Sequence, residues 1–148
     1  MEVKKVTHKC KKCKTLNTVP IDKLSRNPIC GKCKTPLEYP KMPVNATVST
    51  FHEEVDNWPG LLLLDFWALW CGACRMLEPA LHNIATTMTG IVKIVKINVD
   101  EEPQLARKFG ITATPTMVLL KGGKKIDEIV GAPQKEQLEK WLRYYTEQ

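Results

Sequence analysis

Two cysteines, Cys71 and Cys74, lie in the stretch LLLLDFWALWCGACRML and have the spacing needed for thiol–disulfide chemistry. An apolar, strand-like run ends at Trp70, and the cysteine pair opens a predicted helix. The N-terminus of a helix offers free backbone N–H donors and the positive end of the helix dipole, which both favour a thiolate. Cys71 is therefore the predicted nucleophile. Cys74 lies one turn further along the same face and is placed to resolve a mixed disulfide formed on Cys71.

Two other interpretations of this pair are weaker: a chance spacing of two core cysteines, or half of a metal site. Inert buried cysteines do not usually follow a strand-to-helix turn, and the other four cysteines of the chain are better explained by a separate site. Asp65 supports the redox interpretation, because it interrupts an apolar strand in which an unpaired carboxylate is costly. Burial should raise the pKa of Asp65, which makes it a plausible proton acceptor for Cys74.

A repeated six-residue unit near the N-terminus, CKKCKT and then CGKCKT, contains the remaining four cysteines. Their spacing is Cys-x₂-Cys-x₁₆-Cys-x₂-Cys, which is typical of a tetrahedral four-thiolate zinc site. A segment this small has almost no core, so the metal would have to supply its folding free energy. The predicted zinc ligands are Cys10, Cys13, Cys30 and Cys33. The zinc is either structural or regulatory, since oxidation of the ligands could release it and make the ribbon a redox-sensitive switch.

The positive charge of the chain is concentrated in the same segment. The net charge is +6, but residues 1–41 carry eleven Lys or Arg and three Asp or Glu. Lysines beside a negatively charged zinc–thiolate centre explain most of this excess. An alternative function is a zinc-ribbon module that binds nucleic acid or protein, with an incidental dithiol. Few aromatic residues accompany the lysines, which argues against nucleic acid.

The order of predicted elements indicates an α/β protein with a small N-terminal appendage. Three prolines, Pro36, Pro40 and Pro43, predict an extended linker. The predicted domains are a zinc ribbon over residues 1–36, a linker over 37–45 and an α/β domain over 46–148. Strands alternating with helices and ending in a hairpin imply a mixed sheet with helices on both faces. The elements are predicted as strands at 46–48, 61–67, around 91–100 and on both sides of a turn at Gly122–Gly123, with helices at 50–57, 71–88, 102–109 and 134–145.

The chain resembles the thioredoxin family in four motifs: DFWALWCGAC, Lys96 in KINVDEEP, Thr114-Pro115 in GITATPT, and Gly131 in VGA. The resemblance begins near Val44 and reaches the C-terminus. With its four-cysteine segment, the whole chain is similar to the thioredoxin 2 type, which has an N-terminal zinc ribbon. The resemblance implies a thioredoxin fold and protein-disulfide reductase activity. It implies catalytic roles for Cys71, Cys74, Asp65 and Lys96, a cis peptide at Pro115, and a substrate-binding surface formed by Trp70, Gly72, Ala73, Thr114, Pro115 and Gly131.

The resemblance also implies a partner, a flavin-dependent thioredoxin reductase that uses NADPH, and disulfide-containing proteins as substrates. The chain itself should bind neither flavin nor nicotinamide, because it lacks a G-x-G-x-x-G phosphate loop. With no apolar leader or membrane-spanning run in the sequence, we expect a soluble cytoplasmic protein. The resemblance implies that it acts in electron transport and cell redox homeostasis.

Two positions depart from the commonest thioredoxin pattern. Ala73 replaces a proline between the cysteines, and Leu69 replaces a polar residue. Alanine loosens the first helical turn but restores one N–H donor near Cys71, so its two effects on the reduction potential of the dithiol compete. A second alternative function is therefore that of a more oxidising protein, a disulfide oxidase or isomerase.

Overall fold

A computed structural model describes residues 5–146, which form two sheets. The first sheet has two antiparallel strands, β1 (Lys5–Lys9) and β2 (Leu16–Pro20), and is followed by a 3₁₀-helix over Ile21–Arg26. A two-stranded sheet is marginal by itself in water. Its small core contains Cys10 and Cys30 among its buried members, so two of the predicted metal ligands lie inside that core.

The second sheet has five strands in the order β3-β5-β4-β6-β7. The strands are β3 (Val44–Asn45), β4 (Leu61–Trp67), β5 (Val92–Asn98), β6 (Thr116–Lys121) and β7 (Lys124–Val130). Strand β4 is central, parallel to β5 and antiparallel to β6, which explains why its sequence is nearly all apolar.

Three α-helices cover the two faces of this sheet: α1 (Gly72–Thr87), α2 (Pro103–Lys108) and α3 (Lys135–Thr146). Because side chains alternate along a strand, Leu61 and Leu63 of β4 pack in one cluster with α1 and α3. Leu62 and Leu64 pack on the opposite face in a second cluster, which includes Leu105 of α2. The predicted mixed sheet with helices on both faces is confirmed.

The segment before β4 differs from the prediction. The predicted strand at 46–48 is the shorter β3, Val44–Asn45, and the predicted helix at 50–57 is a π-helical turn over His52–Asp56. Thr47 explains the early end of the strand. Its backbone N–H donates to Thr50 Oγ1 at 2.9 Å, and its hydroxyl lies 2.9 Å from Ser49 Oγ. Such local side-chain bonds favour a turn over a strand.

The N-terminal segment packs against the end of α1 that lies furthest from Cys71. The His8 ring stacks on Tyr39, with ring centroids 4.7 Å apart, and meets Trp58 edge-on at 5.2 Å. Gly90 follows α1 and has a positive φ of +80°, and a Cβ there would lie 3.1 Å from side-chain atoms of Leu24 and Tyr39. Glycine is therefore required at this turn for both its conformation and the close approach.

Further contacts join the same two regions. The Thr86 hydroxyl of α1 donates to the Lys41 carbonyl at 3.1 Å. A cavity of about 1100 Å³ lies beside this contact and is lined by residues of both regions, including Lys14, Tyr39, Trp58 and Lys93. Within residues 5–146, no helix combines the length and the apolar character needed to cross a membrane.

Candidate dithiol site and four-cysteine cluster

The dithiol lies at the junction between β4 and α1. Cys71 is the residue that caps α1, and a disulfide joins it to Cys74, with Cα atoms 5.3 Å apart. The Cys74 backbone N–H points at Cys71 Sγ at 3.1 Å. A sulfur at this position faces the free N–H groups of the first helical turn, which stabilise a thiolate when the disulfide is reduced. The predicted strand-to-helix position of the pair is confirmed.

Exposed side chains surround the buried dithiol. Gly72 and Ala73, between the two cysteines, are exposed. Trp70 is 69% exposed, and its indole N–H donates to Asp100 Oδ2 at 2.9 Å, which fixes the ring beside the site. Leu69 and Met76 are also exposed, at 71% and 79%. An apolar surface of this kind beside a reactive sulfur suits contact with another polypeptide.

Pro115 and Gly131 are brought together by a backbone contact. The Thr114–Pro115 peptide is cis, as the resemblance implies. The Gly131 N–H donates to the Pro115 carbonyl at 2.8 Å, and Gly131 has a φ of +100°, a conformation that favours glycine. The Thr114 hydroxyl is buried and has no hydrogen-bond partner among the described residues. The role of these three residues in substrate binding stays a prediction from the resemblance.

Asp65 is a buried carboxylic acid in the central strand. It pairs in register with Lys96 of β5 and Met117 of β6, and alternation along β4 places it on the face covered by α1. It is 2% exposed, and its Oδ1 has no hydrogen-bond partner among the described residues. Burial raises the pKa of Asp65 to about 7, against the opposing effect of the Lys96 charge. The direction of this shift agrees with the sequence prediction.

Asp65→Asn is expected to stabilise the fold at pH 8 and not at pH 4. The native state holds the Asp65 proton more tightly than the unfolded state, so the protein loses stability as the pH rises from about 4 to about 7. A neutral asparagine avoids that loss, which we expect to be about 2–4 kcal/mol. Urea unfolding of the natural protein and the variant at pH 4 and pH 8 measures this difference in the free energy of unfolding. An equal effect of the substitution at the two pH values would contradict a raised pKa.

Lys96 lies beside Asp65 in the sheet, on the face that α1 covers. Its ammonium group forms an ion pair with Glu78 of α1 and lies 4.7 Å from the centroid of the Trp67 ring. Burial lowers the pKa of Lys96, while the negative charge of Asp65 opposes that shift. Glu78 was not predicted as a site residue. The available signal was its position four residues after Cys74, which places both side chains on one face of α1.

Four free cysteines form the second candidate site. The sulfurs of Cys10, Cys13, Cys30 and Cys33 all lie within 4.8 Å of one another. Two pairs, Cys10–Cys33 and Cys13–Cys30, have Sγ–Sγ distances of 3.6 Å. A tetrahedral zinc with Zn–S bonds of about 2.3 Å separates its sulfurs by about 3.8 Å. The donor set and the spacing therefore fit one zinc ion.

The repeated sequence unit forms the same turn twice. The Lys14 N–H donates to the Cys10 carbonyl, and the Lys34 N–H donates to the Cys30 carbonyl, both at 2.9 Å. Both lysines have a positive φ, +66° and +65°. A hydrogen bond from the Cys33 backbone lowers the pKa of Cys30 to about 6. Backbone donors that favour a thiolate suit a metal ligand.

Comparison with known proteins matches the two parts of the chain to two family models. The thioredoxin model matches residues 42–144, and the model described as thioredoxin 2, N-terminal, matches residues 9–35. Thioredoxin 1 of Nostoc sp. is 47% identical over 96 residues, which cover 65% of this chain and 90% of that protein. Thioredoxin 2 of Chlorobaculum tepidum is 44% identical over 97 residues, 66% of this chain and 89% of that protein.

A solved structure is similar to the chain as well. A point mutant of thioredoxin from Halobacterium salinarum superimposes with a TM-score of 0.67 at 31% identity. The superposition covers 74% of this chain and 95% of the other chain.

Proposed function

The chain belongs to the thioredoxin family and is a protein-disulfide reductase, and we propose that Cys71 is its attacking cysteine and Cys74 its resolving cysteine. The observation that carries the assignment is the Cys74 N–H directed at Cys71 Sγ at 3.1 Å, because it favours a thiolate at Cys71 and not at Cys74.

Reduction then takes two exchange steps. The Cys71 thiolate attacks one sulfur of a substrate disulfide, forms a mixed disulfide and releases the other substrate sulfur as a thiolate. The Cys74 thiol gives up its proton and attacks Cys71 Sγ, which forms the Cys71–Cys74 disulfide and releases the second substrate sulfur. Two electrons pass from the dithiol to the substrate, and each released thiolate takes up a proton.

We propose that Asp65 accepts the proton of Cys74 and that the charge of Lys96 influences the pKa of this carboxylate. Two observations support the assignment. Asp65 lies on the sheet face covered by α1, which carries Cys74, and its pKa of about 7 matches the pH at which a proton acceptor must work.

For the substrate, we propose a surface around the dithiol that binds an extended segment of the target protein. It consists of Trp70, Gly72, Ala73, Thr114, Pro115 and Gly131. Exposure of Trp70, Gly72 and Ala73 supports their part in it, as does the backbone contact between Gly131 and Pro115.

The four-cysteine segment is of the zinc-ribbon type, and we propose that Cys10, Cys13, Cys30 and Cys33 hold one Zn²⁺ there. The metal would supply folding free energy to a segment with a small core and would take no part in disulfide exchange. We propose a division into a ribbon over residues 1–36, a linker over 37–45 and a thioredoxin domain over 46–148, in which the last two linker residues add β3 to the sheet of that domain.

The electrons for the next cycle must come from another protein, and we propose a flavin-dependent thioredoxin reductase that draws them from NADPH. The four free cysteines near the N-terminus suit a reducing compartment, which supports a cytoplasmic role in redox homeostasis.

The reduction potential tests the proposed direction of the reaction. We expect a value near that of thioredoxins, about −270 mV, and not near that of protein disulfide isomerase, about −180 mV. Equilibration with a glutathione buffer poised at about −180 mV should then leave Cys71 and Cys74 mostly as the disulfide. Alkylation and mass measurement give the ratio. A mostly reduced dithiol would instead favour an oxidase or isomerase. It would indicate that Ala73 has a dominant effect on the reduction potential.

A further inference from the structure

Three charged side chains lie in one layer between the sheet and α1. Asp65 of β4 and Lys96 of β5 are register partners and face α1. Glu78 reaches Lys96 from α1, one turn after Cys74. The Lys96 side chain is 11% exposed and the Glu78 side chain 42% exposed. The lysine therefore lies under the helix, with one carboxylate on the strand side and one on the helix side.

The hydrogen bonds of Lys96 are not shared equally between the two carboxylates. Its Nζ donates to Glu78 Oε1, and its position is also fixed over the Trp67 ring at 4.7 Å. Asp65 Oδ1, in contrast, has no hydrogen-bond partner among the described residues. Glu78 thus binds the same ammonium group whose charge acts on the buried Asp65.

Few other charges face Asp65. Its partner on β6 is the uncharged Met117. The helix that covers this face, α1, carries Cys74 and Glu78. Among the described residues, Lys96 is the cation that acts on Asp65. The ionisation of Asp65 therefore depends on where the Lys96 ammonium lies.

We propose that Glu78 is a positioning residue, which controls proton transfer at Asp65 by holding the Lys96 ammonium. This inference rests on the proton-acceptor role proposed for Asp65. The Glu78 charge acts in two ways with the same sign. It draws Lys96 towards the helix, and it adds a negative charge to the same layer, so both effects favour the protonated form of Asp65. If its role were purely structural, an ion pair with a carboxylate as exposed as Glu78 would contribute little to the stability of the fold.

The test is a titration of Asp65 in the oxidised protein by ¹³C NMR of its side-chain carboxyl carbon, between pH 5 and pH 9. Glu78→Gln keeps the size of the side chain and an acceptor for Lys96 but removes the charge. We expect the Asp65 midpoint to fall by about 0.5–1 pH unit in this variant. The matched control is Glu139→Gln, which removes a carboxylate from the Lys135–Glu139 ion pair on α3, where the charges are 3.3 Å apart. The control should leave the midpoint unchanged.

Lys96→Met tests whether Glu78 acts through the lysine. In that background, Glu78→Gln should move the Asp65 midpoint by less than half of its effect in the natural sequence. An unchanged midpoint in Glu78→Gln alone, or an equal shift with and without Lys96, would overturn the inference.

The pH dependence of mixed-disulfide resolution, measured by rapid mixing of the reduced protein with substrate, separates this inference from the proposed role of Asp65. If Asp65 accepts the proton, the midpoint of the rate profile should follow the NMR midpoint in Glu78→Gln. A shifted NMR midpoint with an unshifted rate profile would support the action of Glu78 on Asp65 and would contradict the proton-acceptor role instead.

Discussion

Cys71→Ser is expected to lower the rate of insulin disulfide reduction by at least about a thousandfold, because the sulfur that forms the mixed disulfide is lost. The described cysteines outside the dithiol belong to the four-cysteine cluster and cannot replace it. Turbidity of the released insulin B chain measures the rate. Circular dichroism of the variant controls for loss of the fold. A rate within tenfold of the natural protein would show that Cys71 is not the attacking cysteine.

Cys74→Ser should behave differently, because the attacking sulfur remains. The first exchange step still occurs, but no thiol lies one turn away to resolve the intermediate. The variant should therefore accumulate covalent complexes with substrate proteins, visible as bands on a non-reducing gel that dithiothreitol removes. Full turnover by Cys74→Ser would show that the resolving role is wrong.

Removal of zinc is expected to unfold the N-terminal ribbon and to leave the thioredoxin domain folded. Binding of a structural zinc is worth about 10–16 kcal/mol, far more than a two-stranded sheet can provide. Cys13→Ser or a chelator should therefore disorder β1 and β2. The Trp58 indole N–H signal reports the change, because His8 of β1 lies against this ring while Trp58 Nε1 donates to the Leu61 carbonyl in the sheet domain. Persistence of the ribbon signals without zinc would contradict a structural metal.

The same experiment distinguishes a structural ribbon from a redox-sensitive switch. The ribbon approaches the turn at Gly90 through Leu24, and the linker contacts α1 at Thr86, whereas Cys71 caps the other end of this 16-residue helix. A helix of that length spans about 24 Å. We therefore expect zinc release by peroxide or chelator to change the reductase rate less than about twofold, since electrostatic effects of exposed charges are largely screened beyond about 10 Å. A rate that falls in parallel with zinc release would support the switch.

The sequence predicts the dithiol and the sheet well because both depend on local patterns. The nearly unbroken apolar run before Cys71 has the length and composition of a central strand, and α1 begins soon after the run ends. The four-cysteine spacing likewise predicts a cluster, because each pair of sulfurs is held by one short turn.

Contacts between distant parts of the chain could not be predicted in this way. The ion pair between Lys96 and Glu78 depends on how α1 packs over β5, and the spacing of Glu78 from Cys74 does not reveal that packing. Trp141 is a second example. Its indole N–H donates to Asp127 Oδ2 at 2.8 Å, and Tyr145 donates to the same oxygen at 2.6 Å, so α3 is joined to β7 by side chains that have no local signal.

The ribbon lies at the end of α1 opposite the dithiol, so the molecule has two separate surfaces, one at the ribbon and one around the dithiol. A partner or a solid support that binds the ribbon leaves the exposed surface around the dithiol uncovered, so attachment and chemistry do not compete for one surface. A protein anchored through its ribbon would meet substrates held on the same scaffold at a raised local concentration, without any change in the dithiol itself.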